Sequence, residues 1–196
     1  MSSMLPSYQK NLMQGRFETW TMMPETNCYH VHQVHGVRIA HGAELPCEAD
    51  GISLTWDEVQ RPVAIKTADC LPVLIEGKTG VVFLHAGWRG LAAGILAQKS
   101  IQEIFPDRCL IGPAIQKCCF EVSADFKNNF PDSGHFEVRG DKLYFDLVAE
   151  AKTQLKKNNP ELTVETANIC TACDNKFHSF RKTKTTLRNW NLYIKG

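Results

Sequence analysis

The sequence predicts a layered domain of α/β or α+β class, built around a mixed sheet. Short apolar strands alternate along the chain with two segments of helical spacing, which is typical of such folds. The 196 residues are 43% hydrophobic and 22% charged, which excludes disordered, collagen-like and coiled-coil classes. A chain of this length is expected to form one domain over residues 1–196, with residues 1–13 loosely ordered.

Nine segments have the composition or alternation of strands, and two have the spacing of helices. Residues 91–105 carry apolar side chains at helical spacing, and Pro106 stops that helix. Asp146 is placed to cap the second helix, whose apolar face begins at Leu147. The predicted strands are residues 17–22, 28–35, 37–40, 62–67, 71–75, 80–84, 109–111, 162–167 and 192–194.

Charge and cysteine content limit the class of partner. The formal net charge of +1 gives no general attraction to nucleic acid, and no apolar run reaches the ~18 residues of a membrane span. Without a leader-like segment, we expect a cytoplasmic monomer with eight free thiols and with no nucleic-acid or membrane partner. Residues 176–196 hold six basic and no acidic side chains, which fits either an anion-binding segment or a solvated terminus.

The strongest local signal is a strand that enters a glycine-rich turn before a helix, over residues 82–91. His85 ends the strand, and Arg89 carries a planar guanidinium suited to phosphate or carboxylate. The free N–H groups of a helix start would add to anion binding. The alternative is an ordinary strand–helix turn that contains a core histidine.

Two further turns carry chemistry-bearing side chains. Asp69 and Cys70 lie between two apolar strands, where an unpaired carboxylate would be costly. They fit either a functional pair or a turn in which Asp69 accepts backbone hydrogen bonds. His30 and His32 share one face of the preceding predicted strand, whereas His35 faces the other way beside a glycine.

His35, Cys70 and His85 each end a predicted short strand. Two imidazoles and one thiolate leave one tetrahedral position open, which is the pattern of a catalytic zinc. Their separations match no local zinc motif, so spacing alone does not prove that they converge.

A second cysteine group competes as a metal site. A Cys-x-x-Cys pair with distant cysteines is typical of structural zinc. Adjacent cysteines on a regular strand face opposite ways, which disfavours this group. Its members are Cys118, Cys119, Cys170 and Cys173.

Together these motifs resemble the YfiH-like family, long labelled polyphenol oxidase or multicopper laccase and since assigned purine nucleoside phosphorylase activity. The matching stretches follow the family order from about residue 30 to residue 190. They are residues 33–36 (QVHG), 48–51 (EADG), 67–72 (TADCLP), 85–91 (HAGWRGL), 112–115 (GPAI), 119–122 (CFEV), 170–171 (CT) and 177–181 (FHSFR).

The resemblance implies a three-layer α/β/α sandwich around a mixed sheet, shared with certain bacterial toxin deamidases. It implies one zinc bound by His35, Cys70 and His85, with copper less expected. The implied reaction is phosphorolysis of adenosine, inosine, guanosine and methylthioadenosine, with adenosine deamination as a second activity. Bacterial relatives are also connected to excluding wrong amino acids from peptidoglycan precursors.

Further roles follow for residues near these ligands. Asp69 is the candidate proton shuttle because it is the nearest carboxylate in sequence. Phosphate is expected to contact basic side chains, and Gln33 is expected to contact the substrate. The basic candidates are Arg89, Arg181 and Arg188.

The chain also departs from the family pattern. The segment before His30 is short and lacks the Asn- and Arg-containing stretch that most members of the family carry there. Leu187 stands where the family has glycine, which matters if that backbone needs a positive φ. The remaining departures, Gln116-Lys117, His178 and Phe180, predict an altered substrate range.

Three rival functions stay open at this point. A copper-dependent polyphenol oxidase needs more imidazoles than seven histidines supply. A cysteine hydrolase or amidase of peptidoglycan precursors would use Cys70 as nucleophile and His85 as base. A binding module without catalysis is the third.

Overall fold

In a computed structural model the structure describes residues 5–196, and no helix in that part has the length and hydropathy to cross a membrane. Its strands are β1 (Tyr8–Asn11), β2 (Gly15–Trp20), β3 (Ile39–His41), β4 (Gly51–Thr55), β5 (Val63–Thr67), β6 (Leu71–Gly77), β7 (Gly80–Ala86), β8 (Pro106–Ile111), β9 (Glu121–Val122), β10 (Phe136–Arg139), β11 (Lys142–Phe145), β12 (Thr163–Thr166) and β13 (Asn189–Lys195). Its α-helices are α1 (Trp88–Ala92), α2 (Lys99–Glu103), α3 (Leu147–Asn158) and α4 (Phe180–Thr183), with 3₁₀ turns at Gly42–Glu44, Ile95–Ala97 and Ala124–Asn129.

A six-stranded mixed sheet forms the centre, in the order β12-β8-β6-β7-β4-β3. The outer pairs β12–β8 and β3–β4 are parallel, and the inner pairs are antiparallel. Every residue of β6 and β7 is buried, as expected for strands covered on both faces. The predicted α/β class with a mixed sheet is confirmed.

Different layers cover the two faces of this sheet. On one face, Val73, Val82 and Leu84 pack with helix residues such as Leu91 and Leu155. On the other face, the alternating side chains pack against an antiparallel sheet of order β1-β2-β13-β5. The layer order is therefore helices, central sheet and second sheet, because alternating apolar residues of β2, β5 and β13 supply the second cover. A separate three-stranded sheet, β10-β11-β9, packs against the helical side of the core through residues such as Phe145.

Two local predictions, for residues 1–13 and for the helix over 91–105, differ from the structure. Of residues 1–13, residues 8–11 form β1, and residues 1–4 lie outside the described residues. β1 is ordered because it pairs antiparallel with β2 and because the Tyr8 ring packs 6.0 Å from that of Phe17. The helix predicted over 91–105 is divided into short helices because Gly94 takes a φ of 84°.

Residues 28–35 were predicted as a strand and instead form an irregular segment. It makes only the single bridges Tyr29–Val63 and His32–Glu48 among the described residues. At His35 the backbone takes a φ of 62°, which no regular strand allows. His30, His32 and His35 therefore do not alternate across a sheet.

The helix predicted after Asp146 is confirmed as α3. The Asp146 carboxylate accepts a hydrogen bond of 2.9 Å from the Ala149 N–H, as an N-cap residue does. Leu147, Ala151 and Leu155 form its buried face.

Candidate active site and metal centre

The structure brings His35, Cys70 and His85 together at one end of the central sheet. One possible ligand atom from each lies within 4.8 Å of the others, and the two imidazole centroids are 4.7 Å apart. His85 lies on β7, Cys70 immediately precedes β6, and His35 occupies the turn before β3. The antiparallel pairing of β6 with β7 sets Pro72 opposite His85, and this brings Cys70 close to His85.

Asp50 organises this group, although the sequence reasoning assigned it no role. Its buried Oδ1 lies 2.8 Å from Nδ1 of His85 and accepts the His35 N–H at 2.9 Å. Its Oδ2 accepts the N–H groups of Gly36 at 2.6 Å and Val34 at 3.2 Å. One carboxylate thus orients an imidazole and fixes the turn that carries another. The motif EADG at 48–51 was the only sequence signal for it.

The group is electrostatically coupled. Burial opposes ionisation of Cys70, but hydrogen bonds and charge from His35 and His85 outweigh it and lower the pKa of the thiol to about 6. Burial likewise opposes the charged form of His85, yet Asp50 and Cys70 raise the pKa of that imidazole to about 9. Without a metal, the site therefore favours a thiolate–imidazolium pair beside a carboxylate.

The donor set fits a soft or borderline metal ion. Two imidazoles and one thiolate suit zinc and, with a further ligand, copper. The Asp50 contact leaves Nε2 of His85 as the ring nitrogen available for a metal, in the carboxylate–histidine arrangement common at metal sites. Three protein ligands leave a position for a reactant.

Gly87 permits the close approach of these side chains. A Cβ at this position would lie 3.0 Å from the Cys70 sulfur and 3.4 Å from Cδ2 of His35. The first distance is tighter than nine in ten real Cβ contacts, so a side chain here would require the Cys70 sulfur to shift by a few tenths of an ångström. The glycine of the predicted turn therefore leaves room for the Cys70 side chain.

A cavity of about 600 Å³ opens beside the three ligands, within the range of small-molecule sites. Its wall is strongly basic, with Asp69 as its one acidic residue. Three aromatic rings also line the cavity. The basic residues are Lys66, Arg89, Arg181, Lys184 and Arg188, and the aromatic residues are Trp88, Phe120 and Phe180.

Asp69 and Gln33 both line the cavity but are engaged by the protein. Oδ1 of Asp69 accepts the Thr171 hydroxyl at 2.7 Å, and Oδ2 accepts the Arg181 N–H at 2.6 Å. Both oxygens thus hold the wall together, which favours a positioning role for Asp69 over proton transfer. The Gln33 amide bonds both backbone groups of Lys66, at 2.6 and 2.9 Å.

The three predicted arginines all border the cavity, held in different ways. The Arg89 guanidinium stacks 4.3 Å from the centre of the Trp88 ring. Since α1 has only five residues, its dipole is small, and the anion-binding capacity of this turn rests on the arginine side chain. Arg181 donates to the carbonyls of Glu121 and Cys119, at 2.8 and 3.3 Å.

The family departures have separate outcomes in the structure. Leu187 has no positive φ, so leucine is accommodated without backbone strain, and the left-handed residue nearby is Lys184 at 53°. The His178 imidazole lies 2.8 Å from the carbonyl of Thr21, the residue after β2, and His178 does not line the cavity. Phe180 is half exposed and forms part of the cavity wall.

The expectation that Cys118 and Cys119 point apart is wrong. They lie in a turn, where the N–H groups of Cys119 and Phe120 both bond the Gln116 carbonyl, so the two-residue alternation of a strand does not apply. Together with Cys170 and Cys173 they form a second group whose sulfurs all lie within 4.8 Å of one another.

The fold and the site define a class of mixed α/β proteins that hold a His–Cys–His group beside a basic cavity of small-molecule size. Residues 10–194 match a family model described as multi-copper polyphenol oxidoreductase laccase. Purine nucleoside phosphorylase of Aquifex aeolicus (strain VF5) is 35% identical over 147 residues, covering 73% of this chain and 69% of that protein. Purine nucleoside phosphorylase YfiH of Escherichia coli (strain K12) is 34% identical over 170 residues, covering 81% and 70%.

A solved structure agrees with these matches. A Neisseria meningitidis protein of family DUF152 superposes with a TM-score of 0.75 at 31% identity, covering 87% of this chain and 76% of that one. The chain therefore belongs to the YfiH-like family, as its motifs predict.

Proposed function

We propose that this protein is a zinc-dependent purine nucleoside phosphorylase that also deaminates adenosine slowly at the same site. The proposed substrates are adenosine, inosine, guanosine and methylthioadenosine. The observation that carries the proposal is the cavity itself, which combines a His–Cys–His group, five basic side chains and three aromatic rings. The names of the relatives in Aquifex aeolicus and Escherichia coli support the same activity.

The basic wall suits phosphate. Guanidinium groups bind phosphate oxygens through two parallel hydrogen bonds, and the surplus of positive charge over Asp69 favours a dianion. We assign this role to Arg89, Arg181 and Arg188. Arg181 is best prepared for it, because two backbone carbonyls already fix one end of its guanidinium.

Phosphorolysis needs no external oxidant or proton source. The bond between C1′ of the ribose and the purine nitrogen breaks, and its electron pair leaves with the base. An oxygen of hydrogen phosphate bonds to C1′, and the hydrogen of that phosphate ends on the base. The basic residues hold the phosphate, while Trp88, Phe120 and Phe180 offer apolar faces for the purine.

A zinc ion held by His35, Cys70 and His85 would supply Lewis acidity at one end of the cavity. Asp50 keeps His85 in the tautomer that leaves Nε2 unprotonated, and its contacts with the 34–36 turn keep His35 in place. The Asp69 carboxylate accepts the backbone N–H of Arg181 and so holds that segment in place. These residues position the reactants rather than exchange protons with them.

Chromatography of nucleosides incubated with and without phosphate tests the proposal. We expect free base and ribose 1-phosphate only when phosphate is present, and slower conversion of adenosine to inosine. Cys70→Ala should abolish both activities, whereas Cys47→Ala, at a cysteine outside both sulfur-containing groups, should leave both unchanged. Base release without phosphate would instead make the protein a hydrolase.

One observation favours a second candidate, a cysteine hydrolase or amidase acting on peptidoglycan precursors. The pKa of the Cys70 thiol is lowered to about 6, and Asp50 orients His85, as in a nucleophile–base–acid series. Rapid alkylation of Cys70 in the protein as purified, together with less than one metal ion per chain, would support this candidate. Protection of Cys70 by stoichiometric zinc supports the phosphorylase.

A multi-copper oxidoreductase activity, which the family description names, is disfavoured. Such an enzyme needs a multinuclear copper cluster with many imidazoles. Among the described residues, only His35 and His85 of the seven histidines belong to a group of three or more possible ligands. Oxygen uptake with phenolic substrates on copper addition is the measurement that would reverse this ranking.

A further inference from the structure

The second cysteine group lies where two loops meet beyond the carboxyl ends of β8 and β12. These strands are parallel neighbours, so the loops that follow them leave from the same edge of the sheet. The loop after β8 carries Cys118 and Cys119, and the loop after β12 carries Cys170 and Cys173. A backbone bridge between Ala114 and Cys170 joins the two loops.

The sulfur atoms have the spacing of metal ligands. Sγ of Cys173 lies 3.3 Å from that of Cys119 and 3.6 Å from that of Cys118, and the two adjacent cysteines are 3.7 Å apart. A tetrahedral zinc with Zn–S bonds of about 2.3 Å separates its sulfurs by about 3.8 Å. These distances are well above the ~2.05 Å of a disulfide bond.

We propose that Cys118, Cys119, Cys170 and Cys173 bind a structural zinc ion that is separate from the candidate active site. Four cysteine ligands close the coordination sphere, so this ion would have no position for substrate. Its proposed role is to clamp the loop after β8 to the loop after β12.

Hydrogen bonds around the group support thiolate ligation. Backbone N–H groups of Gln116, Ala172 and Cys173 approach the Cys170 sulfur. Such N–H contacts are typical outer-shell partners of metal thiolates.

The clamp would stabilise one wall of the cavity. Arg181 donates to the carbonyl of Cys119 itself, and Thr171, next to Cys170, donates to Asp69. Asp69 in turn accepts the Arg181 N–H. The four-cysteine group is therefore tied to the contacts that position Arg181, directly at Cys119 and one residue away at Thr171, although none of the four cysteines lines the cavity.

Zinc content of variants tests the proposal without measuring activity. The protein is purified with reductant and without chelator, and zinc per chain is determined by mass spectrometry. We expect two zinc ions in the original chain, one in Cys173→Ser, one in Cys70→Ala and two in the control Cys47→Ser. Equal zinc in Cys173→Ser and the original chain would overturn the proposal.

X-ray absorption of the Cys70→Ala variant keeps the test valid even when Cys173→Ser fails to fold. This variant retains all four proposed ligands, so its zinc should show sulfur neighbours only, at about 2.3 Å. Nitrogen neighbours, or no zinc, would refute the site.

The two metal proposals fail independently. If the original chain holds one zinc and Cys70→Ala also holds one, the four-cysteine site stands and zinc at the active site is wrong. If the original chain holds one zinc and Cys70→Ala holds none, the four-cysteine site is wrong and zinc at the active site stands.

Discussion

Replacing Asp50 by asparagine tests whether one buried carboxylate organises the metal site. The carboxylate accepts four hydrogen bonds, from His85 and from the backbone of residues 34–36. An asparagine retains one accepting oxygen and places an NH₂ group where the second oxygen was. Each oxygen of Asp50 accepts two of these hydrogen bonds, so two N–H donors must then face the NH₂ group, or His85 must change tautomer.

The magnitude follows from these contacts. Each buried donor left without an acceptor costs about 1–3 kcal/mol, so two give a loss of about 2–6 kcal/mol in the free energy of unfolding. If His85 instead accepts from the new NH₂ through Nδ1, its proton moves to Nε2, and that nitrogen no longer ligates a metal. We therefore expect metal affinity to fall by about 10- to 100-fold, as for other outer-shell partners.

Urea unfolding and competition with a chelator measure the two effects. Asp125→Asn is the matched control, because Asp125 is exposed in the Ala124–Asn129 turn and is not one of the cavity-lining residues. It should change the free energy of unfolding by no more than about 0.5 kcal/mol. An Asp50→Asn protein that matched this control in both stability and metal affinity would refute the organising role of Asp50.

Three further changes have defined outcomes. Gly87→Ala should lower metal occupancy because its methyl group would crowd the Cys70 sulfur, whereas Gly134→Ala, whose Cβ meets open space, should not; equal occupancy in both would contradict the steric argument. Arg89→Lys should raise KM for phosphate with little change in kcat, because a point charge replaces a two-pronged donor; an unchanged KM would make Arg89 structural. Asp146→Ala should lower the free energy of unfolding by about 1 kcal/mol in urea titrations through loss of the α3 cap, with unchanged metal content.

Strand ends were the most informative sequence feature for the candidate site. The apolar runs of β6 and β7 are long and continuous, so their boundaries near Cys70 and His85 follow from composition. Antiparallel pairing then brings those boundaries together. His35 was placed at the end of a strand over 28–35 that does not form, so the sequence signal that remains for this residue is the motif QVHG.

Asp50 was not predictable by the same reasoning. Its hydrogen-bond partners lie 14 to 35 residues away in the chain, and no periodic pattern links a lone acid to them. The four-cysteine group was named but disfavoured, for a different reason. The alternation rule for strands was applied to Cys118 and Cys119, although the Gly112-Pro113 pair ahead of them already indicated that the strand ends at Ile111.

Backbone strain explains why the site depends on two buried carboxylates rather than on its ligands alone. His35 and Asp69 take φ values of 62° and 92°, and such residues cost about 1–3 kcal/mol each unless the surroundings compensate. Asp50 compensates at the first turn by accepting the N–H groups of His35 and Gly36. At the second turn the Asp69 carbonyl accepts the Ile115 N–H at 3.0 Å, while its side chain holds Thr171 and Arg181.

The two strained turns present different parts of the site. The first sets the imidazole of His35, and the second sets the thiol of Cys70 together with the segment of Arg181. Because Asp69 bonds both to the Arg181 backbone and to the loop that follows β12, it couples the candidate metal ligand Cys70 to the basic wall. A metal centre and an anion-binding wall that share one rigid turn are what a reaction between a nucleoside and phosphate requires, since the two reactants must meet in a fixed orientation.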